Sequence, residues 1–159
     1  MKKRQAGLTL IELLIGLVVM AVLLVIAVPS FQTLRQQYTV RSAGMAIYAD
    51  LQLARSEAIK RNKDITVCFS GSESVNWEYQ IKNSTDCSGS VIEEIKASHY
   101  PSVSLKFPYA ELTFRPRRNT LSPGSIIASN GTQHMSIITS NYGRIRTCSD
   151  DQLIGVPKC

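Results

Sequence analysis

The stretch Lys3-Arg4-Gln5-Ala6-Gly7-Leu8-Thr9-Leu10-Ile11-Glu12-Leu13 opens the apolar run that decides how the rest of this 159-residue chain is read. Residues 13–28 contain no charge and no Ser, Thr, Asn or Pro, and from Leu8 to Val28 Glu12 is the only charge. At the rise of an α-helix the run spans about 30 Å, one bilayer core. Lys2, Lys3 and Arg4 precede it, so the positive-inside rule keeps the start in the cytoplasm and sends residues 30 onward across the membrane. A secretory signal also starts basic, but its apolar part is only about 7–15 residues and ends at a small-residue cleavage site. Here the run is longer and is followed by Pro29-Ser30-Phe31-Gln32. A retained anchor is therefore expected, and a purely cytosolic enzyme does not fit.

Orientation makes a claim about the cysteines. All four, Cys68, Cys87, Cys148 and Cys159, lie beyond the anchor, where disulfides persist. Four cysteines allow three pairings. The local one, Cys68–Cys87 and Cys148–Cys159, closes two short loops, each of which contributes about 2–4 kcal/mol in the chain-entropy picture. Structural zinc favours pairs two to four residues apart, and neither spacing provides one. No metal is expected.

Charge is unevenly spread over the net +6. Three of the excess positive charges sit in residues 1–7, so the high isoelectric point owes much to the extreme N-terminus. Residues 62–114 carry four Lys against seven acids, whereas residues 115–159 carry five Arg and Lys158 against Asp150 and Asp151. The middle is acidic and the C-terminal third basic.

Residues 30–62 continue the helix as an amphipathic segment. Phe31, Leu34 and Tyr38, then Ile47, Leu51, Ala54 and Ala58, recur at spacings of three and four, with Arg35, Arg41, Arg55 and Lys60 between them. Those arginines read as a solvated face. Lys60 and Arg61 suit a helix C-terminus, and Asn62 can end it. Beyond Asn62 the period falls to two. Short β-branched or aromatic runs at 65–69, 77–82, 91–97, 103–107 and 112–115 alternate with turn-rich clusters. Residues 125–129 and 134–140 flank Asn130-Gly131, a hairpin signal in which Asn-Gly supplies positive φ. Asn141-Tyr142-Gly143 then turns into a last strand, 144–148. The expected fold class is α+β: a long N-terminal helix packed on an antiparallel β-sheet, with residues 63–159 as a β-rich globular domain.

Nothing in the chain reads as an enzyme. His99 and His134 belong to no metal spacing or nucleophile motif, and Ser56 and Glu57 read as helix surface. There is no G-x-S-x-G, H-E-x-x-H or phosphate-cradling glycine loop. No cofactor and no small-molecule substrate are expected.

Glu12 admits two readings. A carboxylate deep in a membrane costs roughly 2.5 kcal/mol or more, so it either sits hydrated near Lys2, Lys3 and Arg4 or has a partner. The string around it resembles the class III signal of type IV pilins and pseudopilins: a short basic leader ending in Gly7, an apolar Leu8 next, and Glu12 five positions into the remaining chain. Pro29 falls where many pilins carry a kinking proline. The resemblance implies that residues 1–7 are a leader, that a prepilin peptidase cuts between Gly7 and Leu8, and that the new amine of Leu8 is methylated. It also implies that Glu12 neutralises the terminal amine of a neighbouring pilin during assembly, which relieves two buried charges at once. Residues 8–29 would be membrane anchor first and filament core later. The chain would cross the bacterial inner membrane once, with its C-terminal domain in the periplasm, and end in a pilus or pseudopilus at the cell surface.

The helix segment from Asp50 to Asn62, followed by Ile65-Thr66-Val67-Cys68, is similar to the GspH/FimT family, which holds secretion pseudopilins and minor pilins. After Phe114-Arg115-Pro116 the family often has a glycine, where this chain has Arg117-Arg118-Asn119. Gly143-Arg144-Ile145-Arg146 resembles the GRxR motif of minor pilins that bind DNA in natural transformation. In a strand, Arg144 and Arg146 share a face and lie roughly 7 Å apart, a spacing that suits successive phosphates of one strand. The planar fork of Arg grips phosphate oxygens in pairs. Arg115, Arg117, Arg118 and Lys158 are candidates to widen the patch. Taken without the resemblance, an x-Arg-x-Arg edge strand reads first as a soluble edge protected against pairing, since basic patches are weakly specific. The partners implied are double-stranded DNA, other major and minor pilins, the prepilin peptidase and the inner membrane. Two alternatives share the same anchor and fold: a structural minor pilin that primes pilus assembly, and pseudopilin H of type II secretion.

Overall fold

Thr9 starts the first helix. Its hydroxyl accepts the backbone N–H of Glu12 (3.3 Å) and its carbonyl accepts the N–H groups of Glu12 and Leu13. Thr9 with Glu12 three residues on is the pattern of a capping box, and the carboxylate also suits the positive end of the helix dipole. The computed structural model describes residues 9–116 and 121–159, so Gly7, Leu8, Arg117 and Arg118 lie outside the described residues. Helix α1 runs Leu10–Arg61 and contains Pro29.

The chain divides into two units, one up to Arg35 and one Gln36–Cys159. In the first, the described residues are helical and solvent-exposed from Leu10 to Arg35, with a peak mean hydropathy of 3.1. Such a surface is stable only in lipid or against other protein. Pro29 has no N–H to give to the preceding turn. The Thr33 hydroxyl donates to the Pro29 carbonyl at 3.1 Å.

In the second unit the helix buries Val40, Ala43, Gly44, Ile47, Leu51, Ala54 and Ala58, one stripe at helical spacing. Phe31, Leu34 and Tyr38 continue the same periodicity but are exposed. The helix stops where expected. Asn62 takes φ 50°, its N–H bonds the Ile59 carbonyl and the Lys63 N–H bonds the Ala58 carbonyl, which is the Schellman arrangement.

The remaining chain forms eight strands: β1 Ile65–Ser70, β2 Glu78–Asn83, β3 Ser90–Lys96, β4 Ser104–Lys106, β5 Glu111–Phe114, β6 Gly124–Ser129, β7 His134–Thr139 and β8 Ile145–Cys148. The one sheet expected from sequence resolves into two antiparallel four-stranded sheets, ordered β3-β2-β1-β5 and β4-β6-β7-β8. Strand periodicity names the elements but not which edges join, and here β5 closes onto β1 while β4 closes onto β6. α1 meets both sheets. Tyr79 of β2 donates its hydroxyl to Asp50 at 2.5 Å, and Met135 of β7 lies directly against Gly44. Burial raises the pKa of Asp50, an effect the Tyr79 hydrogen bond opposes. The same pairing, after burial, raises that of Tyr79.

One core joins these elements. Trp77, 1% exposed, donates its indole N–H to the Val103 carbonyl at 2.8 Å and stacks near Tyr79 and Tyr100. Disulfides link Cys68 to Cys87 and Cys148 to Cys159. The β6–β7 connection departs from the sequence reading. Only Gly131 has positive φ (88°); Asn130 instead uses its side-chain oxygen to accept the N–H groups of Thr132 and Gln133. The carboxamide replaces the backbone angle as the turn-forming device.

Candidate functional site

The turn between β7 and β8 organises the basic residues. Ser140 and Arg144 face each other across it. The Ser140 N–H donates to the Arg144 carbonyl at 3.0 Å, the Gly143 N–H donates to the Ser140 carbonyl at 2.9 Å, and the Arg144 N–H donates to the Ser140 hydroxyl at 3.2 Å. Only Asn141, Tyr142 and Gly143 lie between. A three-residue hairpin of this kind needs a left-handed residue at its third position, and Gly143 has φ 69°. The glycine therefore sets the direction in which the chain enters the last strand, and with it the direction of Arg144.

Arg144 closes the turn and β8 starts one residue later than expected, at Ile145. The alternation still holds: Ile145 is buried, and Arg144 and Arg146 are exposed. In register, Arg146 stands opposite Ile138 and Ile145 opposite Thr139. Met135, Ile137 and Thr139 of β7 point into the core, so Ile138 points out with Arg146. Ile138, Ser140, Tyr142, Arg144 and Arg146 line an open groove of about 310 Å³. Among the described residues, neither Arg144 nor Arg146 has a carboxylate partner. Their charge is available to an anion from solution.

The other basic candidates fall in different places. Arg115 lines a polar cleft of about 350 Å³ with Glu111, Thr113 and Asn141, and a smaller one with Arg55 and Gly143. It thus borders the same turn, but its Nε lies 3.9 Å from Asp64, which offsets part of its charge. Lys158 precedes Cys159, whose bond to Cys148 ties it to the end of β8. Cys148 lies two residues beyond Arg146 and so on the same strand face. The Ser149 N–H donates to the Pro157 carbonyl and holds the tail alongside. Arg117 and Arg118 lie outside the described residues.

His134 is tied to the C-terminal loop. Its Nδ1 lies 2.6 Å from Asp151, its backbone N–H donates to the same carboxylate, and its carbonyl accepts the Ser149 hydroxyl at 2.6 Å. The cluster ties the C-terminal loop to β7. Among the described residues no group of three or more His, Cys, Asp or Glu is placed to hold a metal ion. Sequence reading did not bring Ile138 and Ser140 to the basic pair. The signal was the register across the β7–β8 turn, which a turn of known length supplies.

A profile of the type II transport protein GspH family matches residues 43–143, and a profile of the prokaryotic N-terminal methylation motif matches residues 2–28. No curated protein sequence matches significantly. Two crystal structures of the type IV minor pilin FimU of Pseudomonas aeruginosa share the fold. One is 20% identical, with a TM-score of 0.55, over 73% of this chain and 98% of that one. The other is 22% identical, with a TM-score of 0.58, over 74% and 93%.

Proposed function

The chain belongs to the type II transport protein GspH family, and from that premise we propose that it is a non-catalytic minor pilin whose basic C-terminal face holds extracellular DNA by its phosphates during natural transformation. The observation that supports this most is the Gly143-Arg144-Ile145-Arg146 segment. Its glycine directs the strand, its Ile is anchored in the core, and its two guanidiniums are exposed on one face without a carboxylate partner among the described residues. Anchoring Ile145 restricts the backbone between the arginines, so little backbone freedom is lost when both engage phosphates. Contacts of this kind position a duplex without reading its sequence.

The N-terminal part of the proposal rests on the methylation-motif match. A prepilin peptidase removes residues 1–7 after Gly7, the amine of Leu8 is methylated, and Glu12 pairs with a neighbouring pilin's amine in the filament. The exposed apolar helix then passes from inner membrane to pilus, and the second unit faces the periplasm and later the cell surface. Each subunit binds DNA weakly, and repetition along a filament tip raises the effective affinity.

The test is a titration of labelled duplex DNA across a salt series. If Arg144, Arg146 and Lys158 each neutralise one phosphate, log affinity falls with log salt at a slope of about −2.7, a loss of roughly 40-fold between about 50 and 200 mM salt. Arg144→Gln/Arg146→Gln is expected to weaken binding and to flatten the slope to about −0.9. Absence of wild-type binding at low salt refutes DNA capture. The family's type II transport name favours a second reading, in which the same face contacts a neighbouring pseudopilin.

A further inference from the structure

The basic residues that α1 contributes to the second unit do not share one fate. Arg41 packs against Gly155 of the C-terminal loop, and Lys60 and Arg61 are both engaged by Glu57. Arg55, expected on a solvated face, instead lines a crevice whose other walls are Arg115 and Pro116 after β5 and Gly143 of the β7–β8 turn. Its floor is apolar, made of the buried Ala58 and Phe114. Among the described residues Arg55 has no carboxylate partner, while Arg115 has Asp64 at 3.9 Å. Two guanidiniums against one carboxylate leave the crevice with a net positive charge.

We infer that this crevice is a second phosphate-binding site, in which Arg55 of α1 and Arg115 together grip one phosphodiester of bound DNA and carry its backbone from β8 round the Gly143 turn onto the helix. The inference rests on the DNA-binding reading of Arg144 and Arg146 and extends it to a residue of another element. Gly143 directly precedes Arg144, so only one peptide unit, about 3.8 Å between Cα atoms, separates the crevice from the arginine pair. Like charges brought together repel, and an anion between them removes that cost. A phosphodiester carries one negative charge and two free oxygens, one for each planar fork. The apolar floor keeps water from one side of the pair, which strengthens the attraction. Continuity favours DNA over an acidic side chain. A duplex backbone supplies further phosphates beyond those held by Arg144 and Arg146, whereas a lone carboxylate would engage the crevice without them. Asp64 competes with the phosphate for Arg115 and so limits how tightly the crevice holds it.

The experiment uses the full-length oxidised protein in non-ionic detergent, a labelled duplex and a salt series. Wild type, Arg55→Gln, Arg55→Lys, Asp64→Asn and Arg144→Gln/Arg146→Gln are titrated, and a thermal melt checks the fold of each. One phosphate beyond those of Arg144, Arg146 and Lys158 gives wild type a slope of about −3.6. Arg55→Gln is expected to flatten it to about −2.7 and to weaken binding roughly tenfold at about 50 mM salt. Arg55→Lys keeps the charge and is expected to keep the slope. Asp64→Asn frees Arg115 and is expected to tighten binding by up to about fivefold. A wild-type slope of about −2.7 with a silent Arg55→Gln overturns the crevice but leaves phosphate capture standing, provided the double Arg variant still loses binding. A weakened Arg55→Gln with an unchanged slope also overturns it, because direct phosphate contact is what releases counterions. Should Arg55→Gln melt early, Asp64→Asn decides, and no gain in affinity there overturns the site. Equal loss of oligoglutamate binding in Arg55→Gln makes the crevice a contact for acidic protein and overturns the DNA assignment. Failure of wild type to bind duplex at low salt refutes the underlying reading as well.

Discussion

Replacing Gly44 with Val tests how α1 is seated on the sheet that carries the basic groove. A β-carbon at Gly44 lies 2.5 Å from the Met135 sulfur, 3.0 Å from its Cγ and 3.3 Å from its Cβ. Favourable contacts between such atoms are about 3.5–4.0 Å, so Met135 must move by roughly an ångström or the helix must lift. Met135 is fully buried and has no exposed side to turn to. Overpacking of this kind costs about 1–3 kcal/mol, and the better helix propensity of Val over Gly returns only a few tenths. Gly44→Val is therefore expected to destabilise the protein by about 1–3 kcal/mol. Met135→Ala alone costs about 2–5 kcal/mol through the lost burial and the cavity. In Gly44→Val/Met135→Ala the new methyls enter that cavity, so the double variant is more stable than the sum of the singles by about 1–3 kcal/mol. The assay is urea unfolding of the unit Gln36–Cys159 with disulfides intact, followed by the fluorescence of its one tryptophan, Trp77, which is buried in the core. Additivity within about 0.5 kcal/mol, or a stabilised Gly44→Val, refutes the close approach of helix and strand.

Two further perturbations probe the turn and the acid limb. Gly143→Val places a β-branched residue at φ 69°; it is expected to cost about 1–2 kcal/mol in a thermal melt and to weaken DNA binding although no charge is removed, and unchanged binding breaks the link between the turn and Arg144. Asp86 is held down from 3.8 to about 2 by the hydroxyl of Ser88, with its N–H and the Ser84 hydroxyl adding to the effect. Because its folded pKa is lowered, its contribution is present in full above the unfolded value and is lost as pH falls from about 4 toward about 2. A carboxyl-carbon NMR titration of the loop closed by Cys68–Cys87 should show a midpoint near 2 for Asp86, and a midpoint near 4 contradicts the hydrogen-bonded loop.

Local chemistry made several elements legible without coordinates. The uncharged apolar run announces a long helix, Asn62 after Lys60 and Arg61 its end, and the change from a period of 3.6 to one of two marks where helix gives way to strands. Each depends on residues within a turn or two of one another, and each appears in the structure at nearly the expected position. The Asn130-Gly131 connection shows the limit of such reasoning: the dipeptide marked the right place, but Asn130 acts through its side chain and only Gly131 through its backbone.

The sequence by itself determined the lipid-compatible helix, the strands, the basic character of the C-terminal third, and the alternation that turns Arg144 and Arg146 outward and Ile145 inward. These follow from hydropathy, periodicity and charge, which are properties of neighbours in the chain. Only the tertiary structure decided that the strands divide into two sheets, that Gly44 admits Met135, that Arg115 is partly offset by Asp64 while Arg144 and Arg146 are not, and that Ile138 and Tyr142 frame the arginines. Those facts depend on which strand edges meet and on the register across a three-residue turn. Hydrogen bonds between distant segments settle both, and no local pattern encodes them.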